Sequence, residues 1–158
     1  MNTVVYVPHP ALQPYIQVYM HSGLGAQRQM LELDLFPVGH GVLTFILDED
    51  HFLYNSDRNK YYNVCFNFTG QLDRHHHLTA SSASMIDVMF KPSGAFKLLG
   101  IPQQLLLNEC TLVSDMLGGQ INTLCRRIED YAGRVTVLSC MELLSSAFRA
   151  FAISNPIA

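Results

Sequence analysis

A chain of 158 residues is long enough for one compact domain with its own core and needs no disulfide or metal staple. Apolar residues make up 49% and charged residues only 15%, which excludes a disordered polar chain and leaves apolar surface for a partner. The formal net charge is −3, and the basic groupings, Arg126-Arg127 and the loose set Arg58, Lys60 and Arg74, are too small to neutralise the phosphates that DNA binding requires.

The N-terminus, Met1-Asn2-Thr3-Val4, lacks the charged and apolar regions of a signal peptide. No apolar run approaches the ~18 residues of a membrane span. The four cysteines, Cys65, Cys110, Cys125 and Cys140, form no CxxC pair and sit among apolar neighbours, as buried reduced thiols do. These features predict a cytoplasmic protein with no membrane association.

Leu12, Tyr15, Ile16 and Tyr19 recur at spacings of three and four, which predicts an N-terminal helix over residues 10–22 with Pro14 in its first turn. A β region over residues 30–92 follows. Leu31, Leu33 and Leu35 alternate with Glu32 and Asp34, the pattern of a strand with one dry face. Pro37-Val38-Gly39-His40-Gly41 reads as a turn whose glycines supply positive φ. Val42 to Leu47 is an apolar run of strand length. Tyr62 to Thr69 places Val64, Phe66 and Phe68 on one face and Cys65, Asn67 and Thr69 on the other. His75 to Leu78 and Ile86 to Phe90 are further strands, the last stopped by Pro92.

From Ser93 the period becomes helical, and residues 93–152 are expected to be a helical region. Ala95, Phe96, Leu98 and Leu99 make a short helix ending at Gly100, and Gln103 to Leu107 one more turn. Ile121, Leu124, Cys125, Ile128, Tyr131 and Ala132 form an apolar stripe. The last helix carries Val137, Met141, Leu144, Phe148 and Phe151 at gaps of four, three, four and three, a heptad-like seam. The expected fold class is α+β: an antiparallel β-sheet or small cupin-like barrel followed by a C-terminal helical hairpin, as a single domain over residues 1–158.

Several segments have a familiar order. Pro10 to Ile16 reads Pro-x-Leu-x-Pro-Tyr-Ile, Phe36 to Gly41 precedes an apolar strand, and Phe68-Thr69-Gly70-Gln71 comes later. Phe90-Lys91-Pro92-Ser93-Gly94-Ala95-Phe96-Lys97-Leu98-Leu99-Gly100-Ile101-Pro102 then leads from the last strand into the helices, and Leu112 to Gly118 adds an acidic residue and a glycine. This pattern resembles the N-terminal domain of a subset of AraC-type transcription regulators, over nearly the whole chain. The resemblance implies a cytoplasmic bacterial regulator whose N-terminal domain senses a small effector or dimerises, while a C-terminal domain with two helix-turn-helix units reads the major groove. Seven residues follow Phe151, so that DNA-binding domain is expected to be absent here and DNA to be reached only through a domain missing from this chain.

His40, Asn67 and Asp87, with Phe45 and Phe66, are the candidate ligand-binding residues. An acid within a strand needs a partner if buried, and His40 sits on a loop where functional residues gather. Each has a structural alternative: a solvent-facing acid, an amide paired to backbone, a turn that needs only its glycines. His75 and His77 alternate onto one side beside Arg74 and resemble half of a cupin metal motif, but the glutamate expected after them is missing between Leu78 and Ser84. They read as surface histidines, and neither a metal nor a cofactor is expected. There is no GxSxG elbow, P-loop or HExxH, so no enzyme is expected. Val137, Met141, Leu144, Phe148 and Phe151 are the expected interface of a homodimer. The sequence thus predicts a regulatory module that binds a small effector, dimerises, or both. The alternatives are a ligand-free dimerisation domain and a cupin-like metal-dependent enzyme.

Overall fold

The structure is a computed structural model that describes residues 2–23, 30–47, 52–62, 66–81, 84–113, 123–124, 126–128 and 137–154. The fold is α+β and built mostly of antiparallel strands. Among the described residues ten run in chain order: β1 (Asn2–Tyr6), β2 (Ile16–Gly23), β3 (Met30–Leu35), β4 (Val42–Ile46), β5 (Leu53–Asn55), β6 (Lys60–Tyr62), β7 (Phe66–Thr69), β8 (His76–Ser81), β9 (Met85–Phe90) and β10 (Cys110–Leu112). Helix α1 (Gly94–Leu99) follows β9, and helix α2 (Val137–Ser154) comes last. A six-stranded sheet has the order β1-β2-β9-β4-β7-β10, and a four-stranded sheet the order β3-β8-β5-β6.

Period-two alternation gives the larger sheet two different faces. Leu43 and Phe45 of β4, Phe66 and Phe68 of β7, and Ile86, Val88 and Phe90 of β9 all enter the main core. That core is closed by Ala95, Leu98 and Leu99 of α1 and by Cys140, Met141, Leu144 and Phe148 of α2. The Phe90 and Phe148 rings meet edge to face at 6.4 Å, and Ser145 donates a hydrogen bond to the Tyr19 hydroxyl at 3.3 Å. Leu124 and Ile128 are buried in the same core. The rest of the stripe from Ile121 to Ala132, like Ser114, Asp115 and Cys65, lies outside the described residues.

Three expectations are corrected. Residues 10–22 are not a helix: Pro10–Leu12 make a single 3-10 turn, and Ile16–Gly23 form a strand between β1 and β9. The helical-looking spacing has a physical source. The register shifts between Ile16 and Val18, and the extra residue of this bulge brings Ile16 and Tyr19, three apart, into the same core. Residues 93–152 are not wholly helical either, because Cys110–Leu112 pair with Thr69–Asn67 as an outer strand. Among the described glycines only Gly100 has positive φ. Gly41 is needed for space, since a Cβ there would drive into the buried Phe68 ring.

The heptad-like seam is also placed differently from expectation. Met141, Leu144 and Phe148 are buried in the chain's own core, and Val137 and Phe151 pack against it, so the seam is taken up within one molecule. The outer surface of α2 instead exposes Leu138 and Ile153. Among the described residues, no helix is long and apolar enough to cross a membrane.

Replacing Phe148 with alanine is therefore expected to cost about 3–5 kcal/mol in urea unfolding, the usual loss for a large buried aromatic. Gly94→Ala should also destabilise, because its Cβ would meet the Tyr15 backbone, which cannot move aside cheaply. A Phe148→Ala protein that unfolds like the parent would contradict this core.

Candidate functional site

The face of the larger sheet turned away from the helices is the floor of a cavity of about 360 Å³, and the smaller sheet supplies its other wall. From β3 and β8, Leu33, Leu35, Leu78 and Ala80 face inward, joined by Phe52 and by Leu72 from the loop before β8. Strand register then arranges the floor in rows. Met20 of β2 lies beside Asp87 of β9, which lies beside Thr44 of β4, which lies beside Asn67 of β7. On one side of this row Met89, Val42 and Thr69 form the next; on the other, Met85 and Ile46 form another. The floor is thus one polar row set between rows that are apolar apart from Thr69.

Asp87 is at the centre. The Thr44 hydroxyl donates to its Oδ1 at 2.6 Å. Burial raises its carboxyl above the ordinary aspartate range, an effect the Thr44 hydrogen bond only partly offsets. No lysine or arginine is among the described residues that line the cavity, so no cationic side chain neutralises it there. His40 also lines the cavity. Its Nε2 is buried without a hydrogen-bond partner, and desolvation lowers its pKa, which favours the neutral ring.

The structure therefore brings together three of the five expected ligand-site residues, His40, Asn67 and Asp87. Phe45 and Phe66 are placed elsewhere. They pack edge to face at 5.1 Å on the helix side of the sheet, because each is one residue out of step with Thr44 and Asn67. Sequence reasoning missed Thr44 and the methionines Met20, Met85 and Met89. The signal for Thr44 was the alternation inside the apolar run, where Val42, Thr44 and Ile46 oppose Leu43 and Phe45.

The histidine triplet divides between two environments. His76 is buried, with Nε2 3.5 Å from the Asn108 side-chain oxygen. His75 and His77 lie on the outer side of the smaller sheet, across from β3. His75 Nε2 is 2.8 Å from Asp34 Oδ1, His77 Nδ1 is 3.0 Å from the same oxygen, and His77 Nε2 meets Glu32. Both ring nitrogens of His77 thus face carboxylates, the arrangement an imidazolium satisfies by donating twice. The Asp34 and Glu32 carboxylates raise the His77 pKa, and the two histidines hold Asp34 below the ordinary carboxylate range. Among the described residues, no group of three or more histidine, cysteine or acidic side chains is arranged to hold a metal ion.

These pairs tie β3, one wall of the cavity, to β8. Their stabilisation is expected in full below the ordinary histidine pKa and to fade as pH rises through the raised His77 pKa. On the acid side the Asp34 contribution is fully present above the ordinary aspartate pKa and fades as pH falls through its lowered value. Both effects are small because the groups are exposed. Melting curves between pH 5 and 9 should show His77→Ala losing stability near neutral pH and converging with the parent at the alkaline end. Parallel curves would contradict the pairing.

No curated protein matches the chain. A family described as "Domain of unknown function (DUF6597)" matches residues 4–112, from within β1 through β10, and so spans both sheets and every described residue of the cavity. With most of its length matched, the chain belongs to this family.

Proposed function

We propose that this chain is a regulatory module of a bacterial transcription factor that takes a small effector into the cavity between its two sheets. The observation that carries this reading is the cavity itself: about 360 Å³, walled by aliphatic and methionine side chains, with one polar row across its floor. Small-molecule sites have this make-up, since apolar walls drive entry and a few polar groups fix orientation. The resemblance of Pro10–Ile16 and Phe90–Pro102 to AraC-type N-terminal domains supports the same reading, with DNA contacted through another domain.

The proposed role is binding rather than catalysis. Asp87, Thr44 and Asn67 form a row able to hold a ligand by hydrogen bonds, and the exposed histidines His75 and His77 lie outside the cavity with acidic partners. No metal or cofactor is invoked. Self-association belongs to the proposal as well. With the heptad seam buried, a homodimer would use the outer surface of α2, where Leu138 and Ile153 are exposed. Sedimentation at tens of micromolar tests this part: Leu138→Glu with Ile153→Glu should shift a dimer to monomer, and a parent that is monomeric throughout would remove dimerisation from the reading.

Ala80 faces the cavity and is almost fully buried, so Ala80→Phe fills the space with a ring. A small-molecule library screened by thermal shift should yield ligands that stabilise the parent, by about 2.7 kcal/mol at a hundredfold excess over Kd. Ala80→Phe should abolish those shifts while melting at or above the parent temperature. Ligands that stabilise both proteins equally would contradict binding in this cavity.

A further inference from the structure

Resting on the cavity reading above, we propose that the site selects apolar primary amines, whose ammonium group seats on Asp87 while the hydrocarbon lies between the methionine rows and the wall of the smaller sheet. Charge comes first. The described lining turns one acid side chain into the cavity, Asp87, since the Asp34 carboxylate is held on the outer face by His75 and His77; it has one histidine and neither lysine nor arginine. The cavity therefore offers a carboxylate or phosphate ligand no cationic partner, whereas an ammonium beside Asp87 would favour the ionised carboxylate that burial alone disfavours. His40 does not supply that cation, because its desolvated ring favours the neutral form.

Unused hydrogen-bond capacity comes second. A carboxylate can accept about four hydrogen bonds, and among the described residues Asp87 receives one, from Thr44. Its neighbours along β9 on this face are Met85 and Met89, and its cross-strand neighbour on β2 is Met20. Thioethers donate nothing. Among the described residues no other side chain is hydrogen-bonded to Asp87, so acceptor positions remain for a molecule within the cavity. An ammonium brings three donors and the opposite charge; an alcohol brings one donor and no charge.

The remaining surface sets the rest of the molecule. Leu33, Leu35, Ile46, Leu78, Ala80 and Met85 are apolar, so a sugar or polyol would leave its hydroxyls unpaired on entry. The fitting ligand has one cationic head and a hydrocarbon body. Methionine is suited to such a body, because its unbranched, polarisable side chain adapts to varied apolar shapes.

The test uses three probes of one chain length: n-octylamine, 1-octanol and octanoate. Calorimetric titration should find n-octylamine bound about tenfold or more tightly than 1-octanol, as a charge-assisted contact allows, with octanoate weakest. Asp87→Asn keeps the side-chain shape and an oxygen for Thr44, and should weaken n-octylamine by about tenfold or more and 1-octanol far less, so that the amine preference is lost. Retained binding of the alcohol shows that the variant is folded with its cavity intact; if the variant does not fold, the order of the three probes on the parent decides alone. Equal binding of all three, each blocked by Ala80→Phe, would overturn the amine assignment and leave the cavity reading standing. Retention of the amine preference in Asp87→Asn would overturn it too. Failure of all three to bind would also overturn it, and the library screen would then decide the cavity reading separately.

Discussion

The structure depends on one constraint: the larger sheet must be apolar on both faces for different reasons. Its strands alternate strictly, so each residue belongs either to the helix side or to the cavity side. On the helix side, Phe45, Phe66, Phe68 and Phe90 fill a close-packed core against α1 and α2. On the cavity side, Val42, Ile46 and the methionines face open volume, and the polar row of Asp87, Thr44 and Asn67 lies among them. A one-residue slip of β9 would put Phe90 on the cavity side and Asp87 on the core side.

This arrangement sets the two regions one sheet apart. Thr44 and Phe45 are consecutive, as are Ile86 and Asp87, so a displacement of the floor by a ligand reaches the surface on which α2 rests. On the proposed reading this is how occupancy would bias a helix that leads toward the chain's C-terminal end. Such control requires the ligand to bind one arrangement of sheet and helix more tightly than another. A buried acid with a single hydrogen bond is a poor contribution to folding, since burial disfavours its charged form. Its place in the middle of the floor fits a site shaped for a ligand at some expense of stability, a trade common in binding proteins. The outer face of the smaller sheet shows the opposite logic. There the acids Glu32 and Asp34 meet His75 and His77 in water, and the pairs hold an edge strand in register.

Much of this was legible from residue order. The change from period two to helical period near Ser93 marks the start of α1, and the alternation of Phe66 to Thr69 gave the two faces of β7, although Phe66 was expected beside Asn67 in the site and lies in the core. Two failures are instructive. Ile16 and Tyr19 read as helical because a bulge restores a spacing of three on one face of a strand, and a bulge depends on the partner strand rather than on local sequence. The seam of α2 read as an interface because apolar spacing tells that a face is buried and not by what. The large sheet, whose full width becomes clear only when β1, β2 and β10 are paired, covers that face within one molecule. Asp87 was singled out as an acid within a strand, but its partner Thr44 is distant in sequence and was invisible without the register.

Methionine-methyl NMR reads the central claim most directly, because the five of the chain's seven methionines that are among the described residues lie in distinct places. Met20, Met85 and Met89 line the cavity, Met141 is in the helix core, and Met30 is exposed on β3. Addition of a ligand identified by thermal shift is expected to move the signals of Met20, Met85 and Met89 together, with a smaller response at Met141 and none at Met30. Unmoved signals from all three cavity methionines at saturating ligand would contradict a binding site between the sheets.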